Sequence, residues 1–187
     1  MKRVLIPLAS GCEELEAITL IDLLRRAGIE VIAAGVQTGP VTCSRGVVLV
    51  PDTTLDAVQH ETFDMIVLPG GLPGTTHLDA DPRIHALLQR MDREGKFIGA
   101  ICAAPLVLAN AGLLHGKKAT SYPECIPDQH LATINYQETP VVCDGRIITS
   151  RGPGTAMDFA LTLIELLTNR ALRQEVENAL MRPGGAA

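Results

Sequence analysis

The sequence contains no CxxC pair, no GxGxxG and no GxxxxGK[ST], and each absence removes a class of function. Five cysteines, Cys12, Cys43, Cys102, Cys125 and Cys143, form an odd set without ligand spacing, so neither a disulfide framework nor a zinc knuckle is expected. Cysteine used this way fits a reducing compartment, and the chain reads as cytoplasmic. The missing glycine fingerprints exclude a dinucleotide site and a P-loop, and no cofactor or metal is expected. Sixteen lysines and arginines are scattered rather than gathered into a block, under a formal net charge of −5, which argues against a phosphate-backbone partner and against sequence-specific nucleic-acid binding. The opening MKRVLIPLAS offers a six-residue apolar run before Ser10, too short for a signal-peptide core and far short of a membrane span, so no membrane partner is expected. None of the five histidines (His60, His77, His85, His115, His130) sits in an evident triad, and each reads as a surface residue.

What is present is apolar and periodic. With 47% hydrophobic residues in 187, one sizeable core can be buried, and a single domain over 1–183 with a frayed tail at 184–187 is expected. RVLIPL (3–8) reads as a buried strand, followed by a helix over about 13–27 that Ser10 or Gly11 could cap and that Gly28 stops. IEVIAAGV is a second strand, so strand, helix and strand make a parallel unit. GPVTCSRGVVLV (39–50) reads as a hairpin, FDMIVLP (63–69) as a strand running into Gly70-Gly71, DPRIHALLQRMDREG as a helix, and FIGAI as a strand leading to helix PLVLANAG. PVVCDGRIIT (140–149) is a second hairpin, GTAMDFALTLIELLTNR an amphipathic helix, and 171–181 a last helix. The alternation predicts an α/β, flavodoxin-like three-layer αβα sandwich, mainly parallel with antiparallel hairpin excursions.

Open parallel sheets place sites beyond the carboxyl ends of their strands, and three loops meet there: Gly11 to Glu16, Gly70-Gly71 and Cys102. Cys102, flanked by Ala100, Ala103 and Ala104, fits a sharp strand-to-helix elbow whose helix end would lower the thiol pKa; taken alone, the local run reads first as a small buried hydrophobe. Glu13 and Glu14 can point to solvent. Glu16 lies on the side with Ala17 and Leu20, facing the sheet, where it must be protonated or hydrogen-bonded; otherwise it is an exposed first-turn glutamate favoured by the helix dipole. Gly70 and Gly71 make either a tight turn or amide donors for an oxyanion. SRGPGT (150–155) either caps a helix or binds an anion.

Through GCEELEA, RRAGIEV, VTCSRGVV, FDMIVLPGG, GAICAAP and TSRGPGTAMDFAL, in one order over nearly the whole chain, the sequence resembles the ThiJ/PfpI superfamily. Within it, the resemblance is to the subgroup of the human parkinsonism-associated protein deglycase and bacterial YajL. The resemblance implies a homodimer, Cys102 as nucleophile, Glu16 as the carboxyl bonded to it, and an oxyanion hole at Gly70-Gly71, specifically the Gly71 and Cys102 amides. It further implies a pocket with Arg45 and Arg26 near the dimer interface and Ser150 and Pro153 at the rim. Two departures bear on the chemistry. Ala103 stands where protease-like members have histidine, so a Cys-His dyad cannot form there. Tyr122 in SYPE replaces a loop histidine of the human-like members, as in YajL, and a phenol is a poor base at neutral pH. The expectation is a cysteine-dependent glyoxalase or deglycase acting on methylglyoxal, glyoxal or early adducts of protein and nucleotide groups; the alternative is a redox-sensing stress chaperone in which Cys102 is oxidised to a sulfinate.

Overall fold

The structure, a computed structural model, describes residues 1–182. The expected frayed tail, 184–187, lies outside the described residues.

In chain order the elements are β1 (Arg3–Leu8), α1 (Glu14–Arg26), β2 (Glu30–Gly35), β3 (Val41–Thr42), β4 (Val48–Leu49), β5 (Thr53–Thr54), α2 (Leu55–Val58), β6 (Met65–Leu68), α3 (Gly74–Asp79), α4 (Pro82–Arg93) and β7 (Phe97–Ile101). There follow α5 (Pro105–Asn110), β8 (Lys118–Ala119), α6 (Asp128–Leu131), β9 (Asn135–Tyr136), β10 (Val141–Asp144), β11 (Ile147–Ser150), α7 (Ala156–Leu167) and α8 (Arg170–Ala179). The main sheet runs β10-β11-β7-β6-β1-β2-β5, parallel throughout except for β10 against β11. Counted without the edge strands, this is the flavodoxin order, with the switch point between β1 and β6.

The period of two along each strand divides the core. Val4, Ile6 and Leu8 of β1, with Met65 and Val67 of β6, face α1 and α7; Leu5, Ile66 and Leu68 face α4 and α5. Each fully buried Leu, Ile or Phe contributes about 1.5–3 kcal/mol. Both sheet faces are covered by helices, so the strands read as continuous apolar runs rather than alternating ones.

Both expected hairpins form, but differently. The first, β3-β4, pairs Val41 with Leu49 outside the main sheet. The second, β10-β11, turns at Gly145 (φ +61°), and its returning strand joins the parallel strands, hydrogen-bonded beside β7. Helix α1 is capped not by Ser10 or Gly11 but by Glu13, whose carboxylate accepts the Glu16 amide at 2.8 Å. The chain between β1 and α1 is held away from the helix axis because the Gly11 amide donates to Thr42 O and the Glu13 amide to Gly70 O. The short elements β5, α2, α3, α6, β8 and β9 had no counterpart in the sequence reading, being too brief for a periodic signal.

Candidate functional site

The carboxyl ends of β1, β6 and β7 bring Glu16, Gly70-Gly71 and Cys102 together. Gly71 has φ +89°, and a Cβ there would run into the Glu13 amide of the neighbouring loop. At Gly70 a Cβ would lie 2.7 Å from Cys102 Cβ, 2.8 Å from Ile101 O and 2.9 Å from Glu16 Oε2. Glycine at these two positions is therefore what lets the loops close around the thiol and carboxyl.

Cys102 adopts φ +63°, the left-handed region that a cysteine enters only when its surroundings impose it. Its amide donates to Ser150 O at 2.9 Å, and its carbonyl accepts the Tyr122 amide at 2.8 Å. The peptide is clamped on both sides, and the side chain is turned toward the cleft with 8% of the residue exposed.

Glu16 is fully buried. Its Oε2 accepts the Gly70 amide at 2.8 Å, Oε1 has no hydrogen-bond partner among the described residues, and the carboxyl's other neighbour is the Cys102 thiol. Burial raises this carboxyl to about 7; the Gly70 amide and the thiol offset part of the rise, and the nearby Glu13 charge adds to it.

The thiol departs from expectation. Burial, and then the Glu16 charge, push Cys102 up to about 12, while the amides of Gly71 and Ala103 pull the other way. A helix end alone suggested a depressed value; a sulfur with little solvent beside a carboxylate goes up instead. Around neutral pH the thiol keeps its proton while the carboxyl titrates, and because the two groups interact the titration belongs to the pair.

The oxyanion donors are also redistributed. The Cys102 amide is engaged by Ser150 and the Gly70 amide by Glu16, so neither is free to serve. The amides of Gly71 and Ala103 face the sulfur and, among the described residues, donate to no backbone carbonyl. In the sequence Ala103 is a small neighbour of the elbow and a missing histidine; in the structure its backbone amide is the part that faces the sulfur.

The thiol opens into a cleft of about 470 Å³ lined by Glu13, Ser44, Arg45, Leu72, Tyr122 and Pro153 among others. Arg45, Tyr122 and Pro153 line it. Arg26 does not: it sits at the far end of α1, paired with Asp22 at 2.7 Å. The helix axis, rising about 1.5 Å per residue, separates it from the site. Ser150 is not at the rim but fully buried, its hydroxyl donating to Pro140 O at 2.8 Å. Glu14, expected at the surface, is buried, and its carboxylate accepts the Arg45 amide (2.9 Å) and the Ser44 hydroxyl (3.0 Å), fixing the hairpin tip as a cleft wall. Burial pushes Glu14 up, but these bonds outweigh it and its pKa falls below the ordinary value. No histidine lines the cleft, and among the described residues no three His, Cys, Asp or Glu side chains converge as a metal site. No helix of the described residues is long and apolar enough to cross a membrane.

Comparison with known proteins gives a consistent result. The model of the DJ-1/PfpI family matches residues 2–166. Protein dj-1beta of Drosophila melanogaster is 46% identical over 182 residues, covering 96% of this chain and 97% of that one. The crystal structure of Drosophila melanogaster DJ-1beta superposes with a TM-score of 0.93 at 44% identity, over 97% of this chain and 98% of its own. A Caenorhabditis elegans protein named glutathione-independent glyoxalase DJR-1.2 is 39% identical over 180 residues, covering 96% of this chain and 93% of that one.

Proposed function

This chain belongs to the DJ-1/PfpI family, and from that premise we propose that it is a glutathione-independent, cysteine-dependent glyoxalase that also acts on early dicarbonyl adducts as a deglycase. The observation that carries the reading is the pairing of Cys102, in its left-handed elbow, with a buried Glu16 whose carboxyl titrates at about 7. A base with a pKa near the working pH is the most effective kind, and a protonated thiol requires one.

Glu16 takes the Cys102 proton as the sulfur attacks the aldehyde carbon of methylglyoxal, and returns it to the aldehyde oxygen to give a hemithioacetal. It then moves the C1 proton to C2 through an enediol, while the Gly71 and Ala103 amides hold the charge that develops on oxygen. The product is a thioester of a 2-hydroxy acid; one water cleaves it, releasing lactate (glycolate from glyoxal) and the free thiol. The cleft of about 470 Å³ exceeds what a three-carbon dicarbonyl needs, which supports entry of the same aldehyde carbon while it is attached to an amino or thiol group.

A homodimer is part of the proposal. Leu15 and Ile18 of α1 and Val48 and Val50 of the hairpin are exposed apolar residues, with Ile18 and Val50 lining one shallow groove.

The test is lactate formation from methylglyoxal by purified protein without glutathione. Turnover that vanishes in Cys102→Ala is expected; equal turnover in the two proteins refutes the assignment. A second reading, oxidation of Cys102 to a sulfinate, is favoured by the same Gly71 and Ala103 amides, which would donate hydrogen bonds to its oxygens. Intact mass after mild peroxide, lacking a two-oxygen adduct at Cys102, removes that reading.

A further inference from the structure

Away from the Glu16-Cys102 pair, two buried sulfurs face each other: Cys12 Sγ and Cys43 Sγ are 3.6 Å apart, and both thiols are free. We propose that Cys12 and Cys43 are a second oxidation site, a dithiol that a hydroperoxide converts into an intramolecular disulfide clasping the β1-α1 loop to the β3-β4 hairpin.

The backbone is already in place. The Gly11 amide donates to Thr42 O and the Ser44 amide to Cys12 O, each at 2.8 Å, so main-chain bonds bracket the cysteine pair on both sides. A disulfide needs sulfurs about 2.05 Å apart and Cα atoms within about 4.4–6.8 Å. Main-chain bonds on either side of the pair hold the two loop segments side by side, and with the sulfurs already 3.6 Å apart a small side-chain rotation closes the rest.

The two thiols are not equivalent. Cys43 is 5% exposed whereas Cys12 is fully buried, so a hydroperoxide reaches the Cys43 sulfur first. Cys43 is therefore the sulfur that attacks. It takes the terminal oxygen of the hydroperoxide, which leaves as alcohol or water, and becomes a sulfenic acid. The Cys12 sulfur then attacks the Cys43 sulfur; the S–S bond forms, hydroxide departs and leaves as water with the Cys12 proton. Two electrons pass to one hydroperoxide, and two water-equivalents account for the oxygens when it is hydrogen peroxide. Burial raises both thiols, so the site responds to sustained rather than brief oxidant exposure.

The consequence falls on the cleft without involving Cys102. Glu13 follows Cys12, and Ser44 and Arg45 follow Cys43; all three line the cleft, so the cross-link pins two of its walls to each other.

The experiment treats the unmutated protein and Cys102→Ala with hydrogen peroxide, alkylates under denaturing conditions and maps tryptic peptides. Expected in both is a dithiothreitol-reversible species two hydrogens lighter at this pair, joining peptide 4–25 to peptide 27–45. A melting temperature roughly 5–10 °C above the reduced form accompanies it, because the bond closes a loop between positions 31 residues apart. In Cys12→Ser, Cys43 lacks its resolving partner and gains two oxygens instead. Recovery of Cys12 and Cys43 as separately alkylated or separately oxygenated residues overturns the proposal. That outcome is independent of lactate formation, so failure here and failure of the glyoxalase reading are distinguishable.

Discussion

Glu16→Gln keeps the shape of the side chain and its acceptor for the Gly70 amide while removing both the charge and the base, so it should raise stability and lower turnover together. The wild-type carboxyl titrates at an ordinary 4.5 in the unfolded chain and at about 7 in the fold. Since the folded value is the higher one, the folded protein binds this proton more tightly. The stability gained is complete below about pH 4.5 and is lost as pH rises through about 7. The loss between those limits is about 3 kcal/mol, at 1.36 kcal/mol for each pH unit. Glutamine carries no such dependence. At pH 8 the variant is expected to melt roughly 6–12 °C above wild type, with the two curves converging toward pH 4.5. Turnover moves the other way: loss of a positioned base lowers kcat/KM about 10²–10⁴-fold and flattens the rise of activity through pH 7. A thiol freed from a neighbouring negative charge should also alkylate faster in the variant above pH 7, where wild-type Glu16 is ionised. Scanning calorimetry from pH 4.5 to 8, with lactate assays on the same samples, decides the matter. A melting difference that does not change with pH, or a variant of undiminished kcat/KM, refutes the account of Glu16 as a buried base.

Gly70→Ala places a methyl 2.7 Å from Cys102 Cβ and 2.9 Å from Glu16 Oε2, so it should destabilise by about 1–3 kcal/mol and abolish most lactate formation; chemical denaturation and the lactate assay check both. The homodimer predicts a light-scattering mass near twice 19.9 kDa, and a charge placed at Ile18 or Val50 should return it to the monomer value.

The parts of the molecule legible in the sequence are those with a local signature. The apolar runs of β1, β6 and β7 could be read because strands covered on both faces lose their alternation. Cys102 among alanines could be read as an elbow because bulk is excluded there. Glu16 was legible through its helical phase with Ala17 and Leu20. What could not be read is how hydrogen bonds are shared among distant loops. Nothing in the local sequence says that Ser150 O captures the Cys102 amide, leaving the Ala103 amide free, or that Ser44 and the Arg45 amide turn Glu14 inward. The thiol's upward shift has the same origin: it depends on solvent excluded by three separate loops and on a charge 86 positions earlier in the chain (102 minus 16). Arg26 was misplaced because a matching motif carries no information about which end of a helix faces a pocket.

The clamp on Cys102, with Ser150 O holding its amide and the Tyr122 amide holding its carbonyl, makes the elbow a mount whose shape is set by peptide groups and not by the side chain it presents. Whatever residue stands at this position is delivered to the same place. Replacing the thiol by a hydroxyl, a methyl or a selenol therefore exchanges the reacting atom on an unchanged backbone support, and the difference between such variants reports that atom together with its coupling to Glu16.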